Sequence, residues 1–129
     1  MRRALIDTNI YSLAMRGAVE VIDTLQQLDE IAFTVISLGE LLTGFRGGSR
    51  ETLNRAELGR FLDSPRVRLL VVDAETTEFY AGIVQSLKRA GTPIPTNDIW
   101  IGALAQQHGL ALFSRDNHFS LIPGLILVP

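Results

Sequence analysis

Four acidic residues occupy positions from which an α/β fold could build one reactive site. Asp7 and Asp116 each follow a short apolar run, and Asp98 lies at the start of a helical segment. Glu40 lies one turn into a helical segment that follows a third apolar run. If these runs are parallel strands, all four carboxylates come to the carboxyl edge of the sheet, where such sheets bind their ligands. We therefore expect one site at that edge.

Carboxylates gathered within a few ångströms repel one another, and some of them must take up protons unless a cation joins them. The chain has no cysteine and no well-spaced pair of histidines. Hard oxygen ligands alone select Mg²⁺ or Mn²⁺ rather than zinc, and Mg²⁺ retains waters that leave places for a phosphate and a nucleophile. The chemistry that fits is hydrolysis of a phosphate ester with metal-activated water.

Each acid also has a purely structural interpretation. Asp7 and Asp116 lie in Asp-Thr-Asn and Asp-Asn sequences, which are typical of helix caps and turns. The first turn of a helix favours a carboxylate such as Asp98 by roughly 0.3–1 kcal/mol. Glu40 lies opposite the apolar stripe of its helix, where a solvated side chain is the default, but its neighbours there are small or apolar. Only the four acids together favour a site.

The elements that must position these acids are short apolar runs. Runs that are apolar on both faces are typical of strands buried in a parallel sheet. Five of them predict strands over residues 4–6, 31–35, 68–72, 110–113 and 125–128.

Helical spacing of apolar residues separates these runs. It predicts helices over 74–90, over 38–45 up to Gly47-Gly48, and from near Asn97 to His108. Strands joined by one or two helices give right-handed crossovers. We therefore predict a three-layer α/β sandwich with a central, mostly parallel five-stranded sheet, in a single domain over residues 1–129.

Composition excludes several classes of protein. With 129 residues, 47% of them hydrophobic and 20% charged, the chain is typical of one globular domain rather than a disordered or fibrous protein. The lack of cysteine excludes disulfides and a cysteine nucleophile, and it fits a reducing compartment, so we expect a cytoplasmic protein. No apolar run reaches the roughly 18–20 residues that span a membrane, so we expect no membrane association.

The basic residues are unevenly distributed. The net charge is −2, but eleven of the twelve cations are arginine and six of these lie within residues 46–68. Guanidinium groups pair with phosphate or carboxylate through two hydrogen bonds, so this stretch predicts a track for an RNA backbone or an acidic partner. We expect RNA contacts at Arg46 and Arg50, and at Arg115 beside Asp116.

Four segments of the chain resemble the ordered motifs of a known family. They are residues 5–9 (LIDTN), 37–41 (SLGEL), 95–105 (PTNDIWIGALA) and 114–119 (SRDNHF). Their order and flanks are similar to the PIN domain, in its bacterial and archaeal VapC-type toxin branch, and the resemblance runs from residue 4 to 128.

This resemblance implies a metal-dependent endoribonuclease, the toxin of a type II toxin-antitoxin pair, neutralised by a small cognate antitoxin whose tail enters the acidic site. Asp7, Glu40, Asp98 and Asp116 match the family's acidic quartet, and we expect Mg²⁺ or Mn²⁺ on Asp7, Asp98 and Asp116. The auxiliary polar positions, which hydrogen-bond the acids or metal-bound water, match Thr8, Asn9 and Ser114.

An apolar stripe on the helix of Glu40 bears on assembly. It consists of Leu38, Leu41, Leu42 and Phe45, on the face opposite Glu40. Such a stripe packs either against the core or against a second subunit. With the resemblance, it predicts a homodimer and a peptide-binding groove partly lined by the helices of residues 37–62.

Two aromatic or basic side chains near the expected site have simpler interpretations. His118 is more typical of a surface or packing residue than of a general acid, because metal-bound water removes the need for a protein base. Trp100 is more typical of core packing than of base stacking.

Two other classes of function fit the same fold. An aspartyl-phosphate phosphatase would use Asp7 as its nucleophile, but it expects a second acid at the position of Asn9 and a lysine near the later strands. The only lysine is Lys88, in a helical segment. A receiver-like or catalytically idle RNA- or protein-binding module is the non-enzyme alternative; a receiver would need adjacent acids after the first strand, and metal-dependent cleavage of RNA would exclude the idle module.

Overall fold

The computed structural model describes all 129 residues and contains one four-stranded parallel sheet with the strand order β3-β2-β1-β4. The strands are β1 Arg3–Ile6, β2 Glu30–Thr34, β3 Val67–Leu70 and β4 Ala111–Phe113. The helices are α1 Thr8–Met15, α2 Val19–Gln26, α3 Val35–Phe45, α4 Glu51–Asp63, α5 Ala74–Ala90 and α6 Thr96–Gln107, and a 3₁₀ segment covers Asn117–Leu121.

Both faces of the sheet are buried along β1, β2 and β4, which explains their unbroken apolar runs, whereas the edge strand β3 exposes Arg68 and Leu69. Alternate residues of a strand point to opposite faces. On β1, Leu5 belongs to one core cluster together with residues of α5 and α6. Its neighbours Ala4 and Ile6 belong to a second cluster with residues of α1 to α4. The predicted three-layer α/β sandwich with a parallel sheet is therefore confirmed.

The predicted fifth strand, 125–128, is wrong. This segment makes a single parallel bridge between Leu112 and Leu127, with the Leu112 amide donating to Ile126 and the Val128 amide donating to Leu112. The partner strand β4 has only three residues, and Pro129 follows the segment at once. The ladder therefore has no room to extend beyond one bridge.

Strand ends are set by caps that the apolar pattern does not reveal. We predicted a strand up to residue 35, but Val35 already begins α3 because the Thr34 hydroxyl accepts from the Ser37 amide and caps the helix.

The prediction for 74–90 is confirmed: Asp73 and Thr76 form a capping box, and Gly91 ends α5 with φ of 68°. Helices α1 and α2 were not among the predicted segments.

The apolar stripe of α3 packs against the chain's own core. Leu41 is buried there, and Leu38, Leu42 and Phe45 pack against the same cluster. The stripe therefore packs mainly against this chain's own core, with Leu38, Leu42 and Phe45 only partly buried. No helix is both long and apolar enough to cross a membrane.

Tyr11 on α1 carries a buried polar atom that the fold leaves unpaired. Its ring packs against Phe33 and Phe61, with centroids 5.8 Å and 5.0 Å away. Its hydroxyl has no hydrogen-bond partner. Burial, together with the charge of Glu57, raises the pKa of Tyr11 to about 12.

We expect Tyr11→Phe to raise the free energy of unfolding by about 1 kcal/mol, because it removes a buried hydroxyl that gains no hydrogen bond. Urea denaturation measures the change. As a control in the same aromatic cluster, Phe61→Leu should lower the stability. A loss of stability in Tyr11→Phe would show that the hydroxyl is satisfied.

Candidate functional site

The fold brings the four predicted acids to the carboxyl edge of the sheet. Asp7 follows β1, Asp116 follows β4, Asp98 lies in the first turn of α6, and Glu40 lies in the second turn of α3. A cleft of about 470 Å³ opens there. Its charged and amide walls are Glu40, Asp98, Asp116, His118, Asn9 and Asn97.

Asp7 lies beneath this cleft and is only 4% exposed. Its Oδ1 accepts from the Ile10 amide at 2.9 Å and caps α1. Asp7 is therefore a helix cap, as its structural interpretation predicted. Burial raises the pKa of Asp7, against hydrogen bonds from Ser114 and Ile10, and the charges of Asp98 and Asp116 raise it further. The cap is therefore also a member of the acidic cluster.

Ser114 connects two of the acids. Its hydroxyl donates to Asp7 Oδ2 and accepts from the Asp116 amide at 2.9 Å. Because one hydroxyl serves both, the ends of β1 and β4 are held in a fixed relation. This is the placement expected of an auxiliary polar residue.

Thr8 connects the end of β1 to α3. Its Oγ1 lies 2.6 Å from Glu40 Oε1 and 2.8 Å from Ser37 Oγ. A hydroxyl has one hydrogen, so Thr8 donates to the carboxylate and accepts from Ser37. Ser37 is fully buried and was not among the predicted site residues. Its signal in the sequence is its position three residues before Glu40, on the same side of the helix.

His118 was assigned to the surface or to packing, and the structure corrects this. Its Nδ1 lies 3.0 Å from Asp98 Oδ2 and 3.1 Å from Asp116 Oδ1, while its side chain is 45% exposed. Neither carboxylate oxygen can donate when ionised, so Nδ1 carries the hydrogen. Burial raises the pKa of Asp98, the His118 hydrogen bond lowers it, and the charges of Asp116 and Glu40 raise it.

The donor set fits a hard divalent cation. Asp98, Asp116 and His118 offer atoms that all lie within 4.8 Å of one another. Two neighbouring acids whose pKa values are raised form a cluster that a positive charge would relieve. Carboxylate oxygens suit Mg²⁺ or Mn²⁺, and His118, whose Nδ1 carries a hydrogen, holds two of the carboxylates rather than the metal.

The remaining predicted residues have different surroundings. Asn9 is exposed and lines the cleft. Arg115 forms an ion pair with Glu20 at 3.1 Å. Arg46 and Arg50 are exposed where α3 and α4 meet, and neither lines the cleft.

Trp100 is half-buried and packs against a neighbouring helix, outside the two core clusters. Its ring stacks on Tyr80 of α5, with centroids 3.9 Å apart and an interplanar angle of 23°. It therefore joins α6 to α5 and is not one of the residues that line the acidic cleft.

Comparisons with known proteins give a consistent result. The family model described as PIN domain matches residues 4–125. The chain is 29% identical to ribonuclease VapC4 of Mycobacterium tuberculosis, covering 99% of this chain and 97% of the relative. It is 30% identical to VapC ribonuclease Y4jK of Sinorhizobium fredii, covering 87% and 86%. Among solved structures, VapBC2 from Rickettsia felis bound to a promoter DNA fragment matches with a TM-score of 0.88, 27% identity and coverage of 98% and 97%.

We expect Asp7→Asn to stabilise the metal-free protein at pH 7 by about 1 kcal/mol, because it removes a buried charge from a cluster that repels itself. Asparagine is an equally good cap, so α1 should be unaffected. The pKa of Asp7 is raised on folding. Between the ordinary carboxyl pKa and the raised value, the native state therefore holds a proton that the unfolded state has already lost. Wild-type stability should therefore fall as the pH rises from the ordinary carboxyl pKa through the raised value.

Asp7→Asn should lack this part of the pH dependence. Its gain in free energy of unfolding over the wild type should therefore vanish below the ordinary carboxyl pKa. Denaturant unfolding in EDTA between about pH 3 and about pH 8 measures both curves. A variant that is less stable than the wild type at neutral pH would contradict the self-repelling cluster.

Proposed function

This chain belongs to the PIN domain family and to its VapC ribonuclease branch, and from that premise we propose that it is a metal-dependent endoribonuclease. Its reaction is hydrolysis of RNA phosphodiester bonds, and its biological role is that of the toxin in a type II toxin-antitoxin pair. The whole chain, residues 1–129, acts as one nuclease domain.

The observation that carries the proposal is the gathering of all four acids at one edge of the sheet, around a cleft of about 470 Å³. We assign Asp7, Asp98 and Asp116 as metal ligands and Glu40 as the fourth catalytic acid. When bound, Mg²⁺ or Mn²⁺ supplies a positive charge that lowers the pKa of water and withdraws charge from a phosphate.

The polar residues around the acids orient them. Thr8 directs the Glu40 carboxylate, which is then placed to accept a proton from an attacking water. Ser114 fixes Asp7 relative to Asp116. The exposed amide of Asn9 is placed to bind a phosphate oxygen or a water in the cleft.

His118 is a positioning residue in this scheme. It donates from Nδ1 toward Asp98 and Asp116, and its own amide donates to Asp116 Oδ1 at 2.9 Å. These contacts fix the two ligands relative to each other, which is what partners of metal ligands do in many sites.

The alternative functions lack specific support. The phosphatase needs a second acid where Asn9 lies and a lysine near the acids, but Lys88 is exposed on α5 and lines an apolar cavity away from the four acids. The idle binding module would have no need of acids gathered so that burial and neighbouring charges raise the pKa values of Asp7 and Asp98.

We further propose that a small antitoxin binds this chain. Several neighbours in structure are described as VapBC complexes. An apolar groove of about 310 Å³ could take an amphipathic helix or an extended peptide. Its lining comes mainly from α1 and α2, and Phe61 of α4 is the part contributed by the predicted range of 37–62.

Contacts to RNA outside the acidic cleft are proposed at three arginines. Arg115 lies beside Asp116, and Arg46 and Arg50 lie in the exposed turn between α3 and α4. Their guanidinium groups can pair with backbone phosphates without reading the sequence.

We expect the purified chain to cut RNA endonucleolytically in the presence of Mg²⁺ or Mn²⁺ and to be inactive in EDTA. Total RNA and defined transfer RNAs are the substrates, and gel electrophoresis of the products is the measurement. Asp116→Asn should lower the rate by more than about a hundredfold, since even the groups behind metal ligands cost roughly 10- to 100-fold.

The matched control is Asp63→Asn, which changes an exposed acid at the end of α4 and should cleave normally. The melting temperature of the wild type should rise with Mn²⁺, and that of Asp116→Asn should rise less. Products that are unchanged by EDTA, or no products with either metal, would refute the nuclease.

We also propose a homodimer. The α3 stripe packs mainly against the core, whereas Leu69 in the edge strand β3 and Val71 just after it are exposed, Val71 by 57%. Exposed apolar edges are typical of surfaces that a partner covers.

Light scattering at tens of micromolar should give twice the mass of the chain. Val71→Glu should shift this toward the monomer, because it places a charge in an apolar contact. Leu53→Glu, at an exposed leucine of α4, is the control and should remain dimeric. A wild type that is monomeric at this concentration would disprove the dimer.

A further inference from the structure

A second cleft opens beside the acidic one and shares a wall with it. Its volume is about 570 Å³, and it has Asn9, Asp116 and His118 in common with the acidic cleft. The rest of its lining is polar or basic except for one leucine, and it consists of Ser12, Leu13, Arg16, Arg115 and Asn117. Two arginines therefore lie in a space that is continuous with the site of the acids.

One wall is a single face of α1. Asn9, Ser12, Leu13 and Arg16 follow the spacing i, i+3, i+4 and i+7, which places them on the same side of the helix. Over seven residues the helix rises roughly 10 Å, so the backbone of Arg16 lies about that far along the helix axis from Asn9, which borders the acids. The Arg16 guanidinium is exposed and makes no ion pair or hydrogen bond within the chain.

The other wall is the segment between β4 and the 3₁₀ segment. Arg115 precedes Asp116, but its guanidinium is turned toward Glu20 of α2, with Nη2 3.1 Å from Oε2. The two side chains are 50% and 84% exposed. An ion pair this exposed contributes little to stability and can exchange for a stronger anionic partner.

We propose that the cleft between Arg16 and Arg115 binds a backbone phosphate of the RNA, adjacent along the strand to the phosphate in the acidic cleft. This inference rests on the proposed nuclease function and names the contact that sets the substrate in register. In the free protein the Glu20 carboxylate takes the place of that phosphate on Arg115.

Phosphate fits this cleft better than an acidic peptide. Guanidinium forks bind phosphate through paired, charge-assisted hydrogen bonds. An RNA strand whose scissile phosphate lies at the acids must carry its next phosphates along one of the clefts that open from them. Asp116 would repel a run of peptide carboxylates, because such a peptide brings no metal-bound group that offsets the repulsion. Contacts of this kind position a strand without reading its bases.

The test measures how tightly the wild type and its variants bind a fluorescein-labelled, mixed-sequence single-stranded RNA. The full chain is used in EDTA, where no cleavage occurs. Fluorescence anisotropy over a salt series gives the affinity and its salt dependence. Arg16→Gln should bind about tenfold more weakly at low salt, as expected for loss of a charge-assisted hydrogen bond. Its plot of log K against log salt should be less steep by about 0.7, the value for one phosphate contact on a single strand.

The matched control is Arg3→Gln, which removes one exposed arginine at the amino end of β1, on the opposite edge of the sheet. It should bind RNA as the wild type does. Glu20→Gln should act in the opposite direction and tighten binding about two- to threefold, because it frees Arg115 from its exposed ion pair.

Cleavage kinetics distinguish a substrate-positioning role of Arg16 from a catalytic one. On an RNA that the wild type cuts, Arg16→Gln should raise KM about tenfold and leave kcat within about twofold, because a phosphate contact away from the bond positions the substrate. The rise in melting temperature with Mn²⁺ should equal that of the wild type.

Three results would overturn the inference. If Arg16→Gln matches the wild type in affinity and in salt slope while the wild type cleaves RNA, this subsite is wrong and the nuclease stands. If the wild type neither binds nor cleaves RNA, the subsite and the proposed function both fail. If Arg16→Gln loses binding of polyglutamate but keeps its RNA affinity, the cleft belongs to an acidic peptide.

Discussion

The fold has to hold several carboxylates together against their mutual repulsion, and the rest of the site depends on how it does so. Asp7 is the extreme case, because it is buried at the end of the central strand β1 and burial raises its pKa. The chain offsets this cost with neutral donors: the α1 amide of Ile10 and the Ser114 hydroxyl both donate to Asp7. Neutral donors reduce the repulsion without cancelling the charge, so the cluster keeps its attraction for a cation.

A parallel sheet makes this arrangement predictable from the sequence. All strands point the same way, so residues that follow different strands meet at one edge. The positions of Asp7 and Asp116 after apolar runs were therefore enough to bring them together, and the first turn of α6 added Asp98. Glu40 was harder, since a wheel places it only opposite the core stripe. The Thr8 hydroxyl, which lies 2.6 Å from Glu40, decides its direction, and that contact joins residues 32 apart in the chain.

The parts that sequence reasoning missed are those decided by contacts between distant segments. His118 reads as a turn residue because its partner Asp98 lies 20 residues away, on another element. The apolar segment after the 3₁₀ segment reads as a strand, but the three residues of β4 leave it one bridge. The α3 stripe has the same pattern whether it meets the core or a second chain, and only the packing of Leu41 against the second cluster distinguishes the two.

The placement of the basic residues follows from the same constraint as the acids. An arginine inside the acidic cluster would neutralise it and compete with a cation, whereas an arginine too far away could not hold a strand that passes through the cleft. His118 is the only basic side chain that touches the cluster, and it donates a hydrogen bond from Nδ1 to the carboxylates of Asp98 and Asp116. Arg16 and Arg115 lie in the next cleft, where Asn9, Asp116 and His118 form the shared wall. An anionic strand laid across both clefts would therefore meet fixed positive charge beside the acids, and at the acids themselves only the positive charge that a bound metal brings.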